Sequence, residues 1–193
     1  MIGIKKINLN NLNQAAFSLI ELVVSMSIIS LLTALFLANY HSVNRRTDLT
    51  MAAQVLVTDI RMAQANALGL MKYDGLVPAG GWGVAFDADQ TANTQYAIFA
   101  DENDNQNIDT GESAVNLGGR VVDLPPNIEI DRIYVNSVGQ QAGSVTFLPP
   151  DPITRISGSF STGTVMEIRL HEKLNDTTKT VRVNFLGLIE VID

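Results

Sequence analysis

The pattern of apolar and polar positions changes several times along the chain, and the first change follows residue 16. Residues 1–16 are mostly polar and carry two lysines, whereas Leu22–Ala38 has no charged residue and only serines and one threonine among its apolar side chains. Such a run is close to the roughly 20 residues with which a helix spans a bilayer. The pattern predicts a short basic leader over 1–16 and a membrane-spanning helix over 17–40.

Beyond this run the chain becomes polar but keeps a helical period. Apolar residues recur at steps of three and four, as expected for one face of an amphipathic helix. They are Leu49, Ala52, Ala53, Leu56, Ile60, Ala63 and Ala67. Gln54, Asp59, Arg61 and Gln64 fall off this stripe, and Gly69 followed by Leu70 predicts a C-cap. We therefore expect residues 41–69 to continue the helix to about Leu68 and to pack on the rest of the chain.

After Gly75 the apolar runs become short and are separated by Gly, Pro, Asn and Asp, which is typical of strands and turns. The predicted strands are 82–87, 94–100, 113–118, 120–124, 128–135, 143–148, 164–171 and 179–185. Several of them alternate apolar and polar residues, which favours antiparallel pairing. Leu174–Thr178 reads as the turn of a hairpin. The pattern predicts an α+β fold: a long N-terminal helix packed on an antiparallel β head, a sheet or sandwich, over 70–193.

The charge is negative and is concentrated in the predicted head. The net charge of the chain is −7, and Lys72–Asp193 holds 8 Lys and Arg against 17 Asp and Glu. General binding of a nucleic-acid backbone needs clustered cations, so we expect none. A local patch around Arg155, Arg169 and Arg182 stays open. The chain has no cysteine, so disulfides cannot fasten the loops of an exported head.

Glu21 lies inside the apolar run and needs its own explanation. A charged residue within a span costs about 2.5–3.5 kcal/mol on insertion scales and by default suggests a function. A secretory signal peptide would not explain it, and the apolar run is too long for one. The best cleavage position after the run, Ala38, also has the bulky Phe36 two residues before it. A plain single-span anchor remains an alternative.

The residues Ala16-Phe17-Ser18-Leu19-Ile20-Glu21 resemble the prepilin cleavage motif of type IV pilins and type II secretion pseudopilins. The resemblance implies that prepilin peptidase cuts between Ala16 and Phe17 on the cytoplasmic side and methylates the new amino group of Phe17. The chain departs from the usual pattern in two places. Glycine is common where Ala16 stands, and many major pilins have a proline where Ala38 stands, which favours a minor subunit.

The same resemblance implies assembly with other pilin or pseudopilin subunits. The carboxylate of Glu21 would pair with the amino group of Phe17 on a neighbouring subunit, because an unpaired charge in a low-dielectric core is costly. Alternatively, Glu21 reaches to the cytoplasmic headgroups. Ser30, Ala34 and Ala38 form a stripe of small residues that lets helices approach closely. The subunit would reside in the inner membrane with its N-terminus in the cytoplasm, and later in an extracytoplasmic filament.

The order of helix and strands also looks like that of the H-type pseudopilins and FimT-like minor pilins. The resemblance rests on the C-terminal segments "GSVTFLPPDP", "TVMEIRL" and "KTVRVNFLGLIEV". They suggest a strand, a Pro-containing loop, a hairpin and a closing strand. This resemblance implies that the chain is a structural subunit of a pilus or of a secretion filament.

The segment "DENDNQNIDTGE" in the head is similar to a calcium-binding loop. Six oxygen-bearing residues occupy the ligand offsets of such a loop. They are Asp101, Asn103, Asn105, Asn107, Asp109 and Glu112. Gln106 stands where glycine is usual, and the flanks read as strands, so an EF-hand is not expected. The alternative is an Asx-rich turn without metal. Ca²⁺ is the only cofactor that the sequence suggests.

No catalytic set emerges from the sequence, so we do not expect an enzyme. The two histidines, His41 and His171, are far apart, and no cysteine or phosphate-binding glycine loop is present. Three interpretations stay open. The chain is a structural minor pilin or pseudopilin, or a filament-tip subunit that binds a surface, a secreted protein or DNA. The third is a calcium-binding domain on a single-span anchor.

Overall fold

The computed structural model describes residues 18–108, 120–150, 153–158 and 162–192. The chain divides into two compact units, one up to His41 and one from Ser42 onward. Helix α1 (Leu19–Leu68) contributes residues to both units. Its end at Leu68 confirms the predicted end, and the predicted start at Phe17 lies outside the described residues.

In the first unit, α1 presents apolar side chains that are exposed along Leu19–Leu37. This segment has a mean hydropathy of 2.3 and is long and apolar enough to cross a membrane. Two of its four hydroxyl groups bond within the helix: Ser27 donates to the Val23 carbonyl and Thr33 to the Ile29 carbonyl, both at 2.8 Å. Because these donors are satisfied locally, they add little to the cost of placing the segment in lipid.

The second unit contains two β-sheets, and every strand pair in the described residues is antiparallel. The strands are β1 (Gly81–Asp87), β2 (Gln95–Asp101), β3 (Arg120–Asp123), β4 (Ile128–Val135), β5 (Val138–Gln140), β6 (Ala142–Leu148), β7 (Ile153–Gly158), β8 (Thr162–Gly163), β9 (Val165–Glu172), β10 (Thr177–Asn184) and β11 (Ile189–Ile192). Sheet 1 has the order β3-β2-β1-β6-β7-β8, and sheet 2 has the order β11-β10-β9-β4-β5. The predicted α+β fold is confirmed.

The strands agree with the sequence pattern where apolar and polar residues alternate. Strand β4 has the predicted bounds, and β9 pairs with β10 as the predicted hairpin. Strands β5, β7 and β8 were not predicted, because each is short or interrupted by glycine and serine. The predicted strand over 113–118 lies outside the described residues.

The core of the second unit lies between the two sheets and α1. All seven residues of the predicted apolar stripe on α1 are buried. Sheet 1 contributes inward side chains such as Val84 and Phe147, and sheet 2 contributes Ile133 and Met166. The sheets approach closely at Gly143, where an added Cβ would lie 2.8 Å from the Met166 methyl group. The prediction that this half of the helix packs on the head is therefore confirmed.

Asp59 corrects one detail of the predicted stripe. The sequence pattern assigns it to the polar side of α1, but it is only 5% exposed. Its carboxylate accepts hydrogen bonds from the Tyr96 hydroxyl and from the Arg120 guanidinium. These partners reach Asp59 from strands β2 and β3. The buried charge is thus fully partnered, which is the usual condition for burying one.

The C-terminal cap of α1 also differs from the prediction by one residue. Met71 N–H donates to the Asn66 carbonyl at 2.9 Å, and Leu70 N–H donates to the Ala67 carbonyl at 3.0 Å. This pair of bonds is the Schellman motif, in which the residue before the last donor is left-handed. That residue is Leu70, with φ 51°, and not Gly69. The sequence showed that the helix ends here but misplaced the left-handed residue.

Trp82 fastens the segment between α1 and β1 to the core. Its indole N–H donates to the Met71 carbonyl at 3.0 Å, and its ring meets the ring of Tyr73 edge to face, with 6.3 Å between centroids. The chain has one tryptophan. Its buried position makes its fluorescence a reporter of the folded head.

Candidate functional site

The start of α1 has a defined hydrogen-bonded cap. Glu21 N–H donates to the Ser18 hydroxyl at 3.2 Å, and Leu22 N–H donates to the Ser18 carbonyl at 3.2 Å. Ser18 is therefore the N-cap residue, and Glu21 follows it by three positions. This is the Ser-x-x-Glu spacing of a capping box. The Glu21 carboxylate lies in the first turn, where the helix dipole favours a negative charge.

Sequence reasoning missed this local role of Glu21. The signal was present, because Ser-x-x-Glu before an apolar run is the sequence signature of a capped helix start. The cap does not exclude a second role for the carboxylate. Glu21 is exposed in the single chain, so its oxygens are accessible to a neighbouring subunit.

The structure places the other residues of the predicted processing and assembly sites only in part. Ala16 and Phe17 lie outside the described residues. Ser30 and Ala34 are both exposed on α1, and the spacing of four places them on one helical face. Ala38 belongs to the same helix, but its side chain lies outside the described part.

The predicted calcium loop begins at the end of β2, and its first ligand is fully buried. The carboxylate of Asp101 accepts the N–H groups of Asn105 at 3.2 Å and of Gln106 at 2.9 Å. It also lies against Gly80, where an added Cβ would be 2.1 Å from its Oδ2 atom. Asn103 accepts the Asn105 N–H at 3.1 Å. These contacts are those of an Asx-rich turn, the alternative drawn from the sequence.

The metal-binding interpretation of this loop stays a prediction. Gln106 adopts the left-handed conformation, with φ 64°, at the position where a calcium loop usually has glycine. The hydrogen-bonded oxygens of Asp101 keep lone pairs that an ion could use. The last two predicted ligands, Asp109 and Glu112, lie outside the described residues. Among those described, no three Asp, Glu or His side chains form a metal-binding group.

The loop is held against sheet 1 by two side chains. Arg155 on β7 forms an ion pair with Asp104, and Ser144 on β6 donates to the Gln106 carbonyl. Both contacts reach the loop from the outer face of sheet 1. They give the first half of the loop a defined position without an ion.

The three arginines of the suspected basic patch are each paired with carboxylates. Arg155 pairs with Asp104, and Arg169 pairs with Asp131. Arg182 lies between Glu167 at 2.8 Å and Glu190 at 3.4 Å, which raises the pKa of its guanidinium. The three residues therefore do not form an unneutralised basic surface.

A second polar cluster surrounds Glu129 on the outer face of sheet 2. Its carboxylate accepts from Lys173 at 2.7 Å and from Asn93 at 2.8 Å, and His171 lies 3.6 Å away. Partial burial raises the pKa of Glu129, but the hydrogen bonds from Lys173 and Asn93 outweigh burial and lower it. His171 also bonds Asp176 at 2.9 Å. Because its two ring nitrogens face different carboxylates, the arrangement fastens the β9–β10 hairpin and does not form a metal site.

Comparison with known families gives a match at the N-terminus. Residues 11–37 match the family described as "Prokaryotic N-terminal methylation motif". The matched segment contains the capped helix start and ends with the apolar part of α1. No curated protein and no solved structure matches the chain. The match indicates a type IV pilin-like N-terminus of the kind that prepilin peptidase processes, and the β head lies outside the matched segment.

Proposed function

We propose that the chain is a minor pilin or pseudopilin, a structural subunit of a type IV pilus or of a type II secretion-like filament. The observation that carries the proposal is the methylation-motif match over 11–37, which includes Glu21 and the apolar segment Leu19–Leu37. The subunit is first anchored in the inner membrane by α1. It then enters a filament through the same helix, without carrying out catalysis.

Glu21 has two successive roles in this proposal. In the isolated subunit it belongs to the capped first turn of α1. Cleavage before Phe17 creates an amino group with a pKa of about 8, which is mostly cationic at neutral pH. In the filament, the carboxylate pairs with this group on a neighbouring subunit. The pair sets the axial register because either charge alone would be costly in the apolar core.

The small residues of α1 supply the contact surface around this pair. Ser30 and Ala34 are one helical turn apart and exposed, and Ala38 continues the same spacing in sequence. In a membrane the hydrophobic effect does not drive helices together, so they associate through close packing at such small residues. The remaining apolar side chains of the segment face lipid before assembly and neighbouring helices afterwards.

The head supports the finer proposal of an H-type pseudopilin or FimT-like subunit. The C-terminal part of α1 is buried against two antiparallel sheets. Strands β9 and β10 form a hairpin, and β11 closes sheet 2 after the turn at Gly187. This order is the one suggested by the resemblance of the C-terminal segments.

Processing is the direct test of the proposed function. We expect mass spectrometry of the membrane-extracted protein to show a chain that starts at N-methylated Phe17. Ala16→Gly should preserve cleavage, and Ala16→Trp should block it because the peptidase needs a small residue before the cut. Ala15→Trp is the matched control and should still be cleaved. An unprocessed chain beginning at Met1, or one cut after Ala38, would contradict the proposal.

A further inference from the structure

The hydrogen bonds of Ser18 fix where helix α1 begins. Its hydroxyl accepts the Glu21 N–H and its carbonyl accepts the Leu22 N–H, both at 3.2 Å. A residue with this pair of bonds is an N-cap, and its own backbone dihedrals are not helical. With Ser18 in this role, α1 starts at Leu19.

The residues on either side of Ser18 have the other sequence features of a helix start. Glu21 stands at the third helical position, which is where a glutamate completes a capping box. Counted from Ser18, Phe17 takes the position before the cap and Leu22 takes the fourth helical position. Apolar residues at these two positions form a hydrophobic staple, which fixes the direction in which the chain enters a helix. The cap, the box and the staple positions therefore all mark the same boundary.

The sequence contains a competing helix start, five residues before Ser18. Asn13 belongs to a residue type that caps helices as well as serine does, and it is followed by one glutamine and two alanines, which favour helix. A helix that began at Asn13 would contain the bond between Ala16 and Phe17. The capping box at Ser18 favours the later of these two starts.

The choice between the two starts matters for hydrolysis of that bond. Water supplies the hydroxyl of the new Ala16 carboxyl group and a proton of the new Phe17 amine, so the peptidase must reach the Ala16 carbonyl. In a helix this carbonyl would accept the N–H of Ile20, four residues later. The helix would then have to unfold locally before the bond could be attacked. A helix capped at Ser18 avoids this step.

We propose that Ser18 is a positioning residue for processing: by capping α1, it keeps the bond between Ala16 and Phe17 outside the helix and open to prepilin peptidase. This inference rests on the proposed function. The segment that matches the methylation motif, residues 11–37, contains both the cap and the competing start at Asn13. Ser18 acts through the backbone of the helix and is therefore not a catalytic residue.

The test compares cleavage rates of the full chain in cells that contain prepilin peptidase. Pulse labelling follows the conversion of the precursor, and mass spectrometry identifies the new N-terminus. Ser18→Ala removes the cap, whereas Ser18→Asn, Ser18→Asp and Ser18→Thr replace it with other capping residues. Cells without the peptidase provide the background. The unfolding midpoint of Trp82 fluorescence should be the same for all variants, which shows that the head is folded in each precursor.

We expect Ser18→Ala to lower the cleavage rate by about two- to fivefold, where the upper figure corresponds to the roughly 1 kcal/mol of a typical N-cap. Ser18→Asn and Ser18→Asp should retain the wild-type rate, and Ser18→Thr should be close to it. Asn13→Ala, added to Ser18→Ala, should restore the rate because it removes the competing start. A peptidase that recognised the serine hydroxyl would instead accept threonine, reject asparagine and aspartate, and show no rescue.

Two results would overturn the positioning role. One is a wild-type rate for Ser18→Ala, and the other is a rate for Ser18→Asn and Ser18→Asp that is as low as that of Ser18→Ala. Either result, with the wild type still cut before Phe17, would leave the proposed function intact. Absence of cleavage in the wild type would overturn both, and it would be seen before any variant is compared.

Discussion

The Tyr96 hydroxyl donates a 2.6 Å hydrogen bond to the Asp59 carboxylate and thereby joins β2 to α1. Arg120 at the start of β3 lies 2.9 Å from both oxygens of the same carboxylate. Asp59 is buried, whereas the Arg120 side chain is 58% exposed. The network fixes how the helix lies against the edge of sheet 1, because the carboxylate would be costly in any position that lacked these two partners.

Replacing Tyr96 with phenylalanine should destabilise the head. The change removes one donor to a buried charge, which typically costs about 1.5–3 kcal/mol. Tyr73→Phe is the matched control, because its hydroxyl is also buried but has no partner among the described residues. The control should be neutral or slightly stabilising. Denaturant unfolding of the full chain in neutral detergent, followed by Trp82 fluorescence, measures both. Equal effects of the two substitutions would contradict the assigned hydrogen bond.

The same hydroxyl predicts a loss of stability at alkaline pH. Burial, followed by the hydrogen bond to Asp59, raises the pKa of Tyr96 above its ordinary value. The unfolded chain releases this proton near pH 10, while the folded chain keeps it. Above that pH the unfolded state binds fewer protons, so the free energy of unfolding falls by at most about 1.4 kcal/mol per pH unit. The Tyr96→Phe variant should lack this component between pH values of about 10 and 11. Parallel curves of unfolding free energy against pH for the variant and the wild type would contradict the raised pKa of Tyr96.

The general architecture could be predicted because its determinants are local and periodic. The stripe from Leu49 to Ala67 repeats at the helical period, and the alternation in 128–135 repeats at the strand period. The sequence pattern assigned Asp59 incorrectly to the polar side of α1. The helical period shows only where a residue lies around the helix, and not which partners its side chain meets. Its partners Tyr96 and Arg120 are 37 and 61 positions away, and no local pattern announces such contacts.

The candidate sites divide in the same way. The motif at Ala16–Glu21 is contiguous, so the chain itself reveals it. The cap at Ser18 was missed, although its Ser-x-x-Glu signature is contiguous as well. The neutralisation of Arg155 by Asp104 joins residues that are 51 positions apart, so no local pattern reveals it. A patch of three arginines in the sequence therefore carried no information about the carboxylates that pair with each of them.

The helix end predicts opposite effects for one substitution at two nearby positions. Leu70 is left-handed with φ 51°, which costs a leucine more than a glycine. Leu70→Gly should therefore raise the free energy of unfolding by about 0.5–1 kcal/mol. Leu68→Gly lies in the helical last turn and should lower it by about the same amount. The two leucines are equally exposed, at 50% and 49%, so the denaturant midpoints isolate the backbone effect. Shifts of the same sign would show that the cap is assigned incorrectly.

Glu21 can be tested for charge pairing separately from helix capping. Glutamine keeps the capping geometry but removes the charge, whereas valine removes both. If the carboxylate pairs with Phe17 of a neighbour, Glu21→Gln and Glu21→Val should both reduce incorporation into filaments, measured by shearing and immunoblotting. Glu21→Val should also improve membrane insertion, because a charge in a span is costly. Ser18→Ala is the control for the cap and should weaken the helix start by about 1 kcal/mol without abolishing incorporation. Wild-type incorporation of the glutamine variant would contradict pairing.

Calcium binding at the loop is a prediction that thermal unfolding of the full chain can decide. A metal that binds only the folded state stabilises it by about 2.7 kcal/mol at a hundredfold excess over Kd. Extracellular calcium modules bind at about 10⁻⁴–10⁻³ M, so the midpoint should rise in millimolar calcium, barely change in magnesium and return with a chelator.

Glu112→Gln removes the predicted bidentate ligand and should abolish the shift. Glu102→Gln is the matched control, since it removes an acid from the same loop at an offset that holds no ligand, and it should keep the shift. Asp101→Asn should weaken binding and also lower the unliganded midpoint, because the Asp101 carboxylate accepts two loop N–H groups without an ion. Identical midpoints in calcium, magnesium and chelator would contradict metal binding and leave the loop as an Asx-rich turn held by protein contacts.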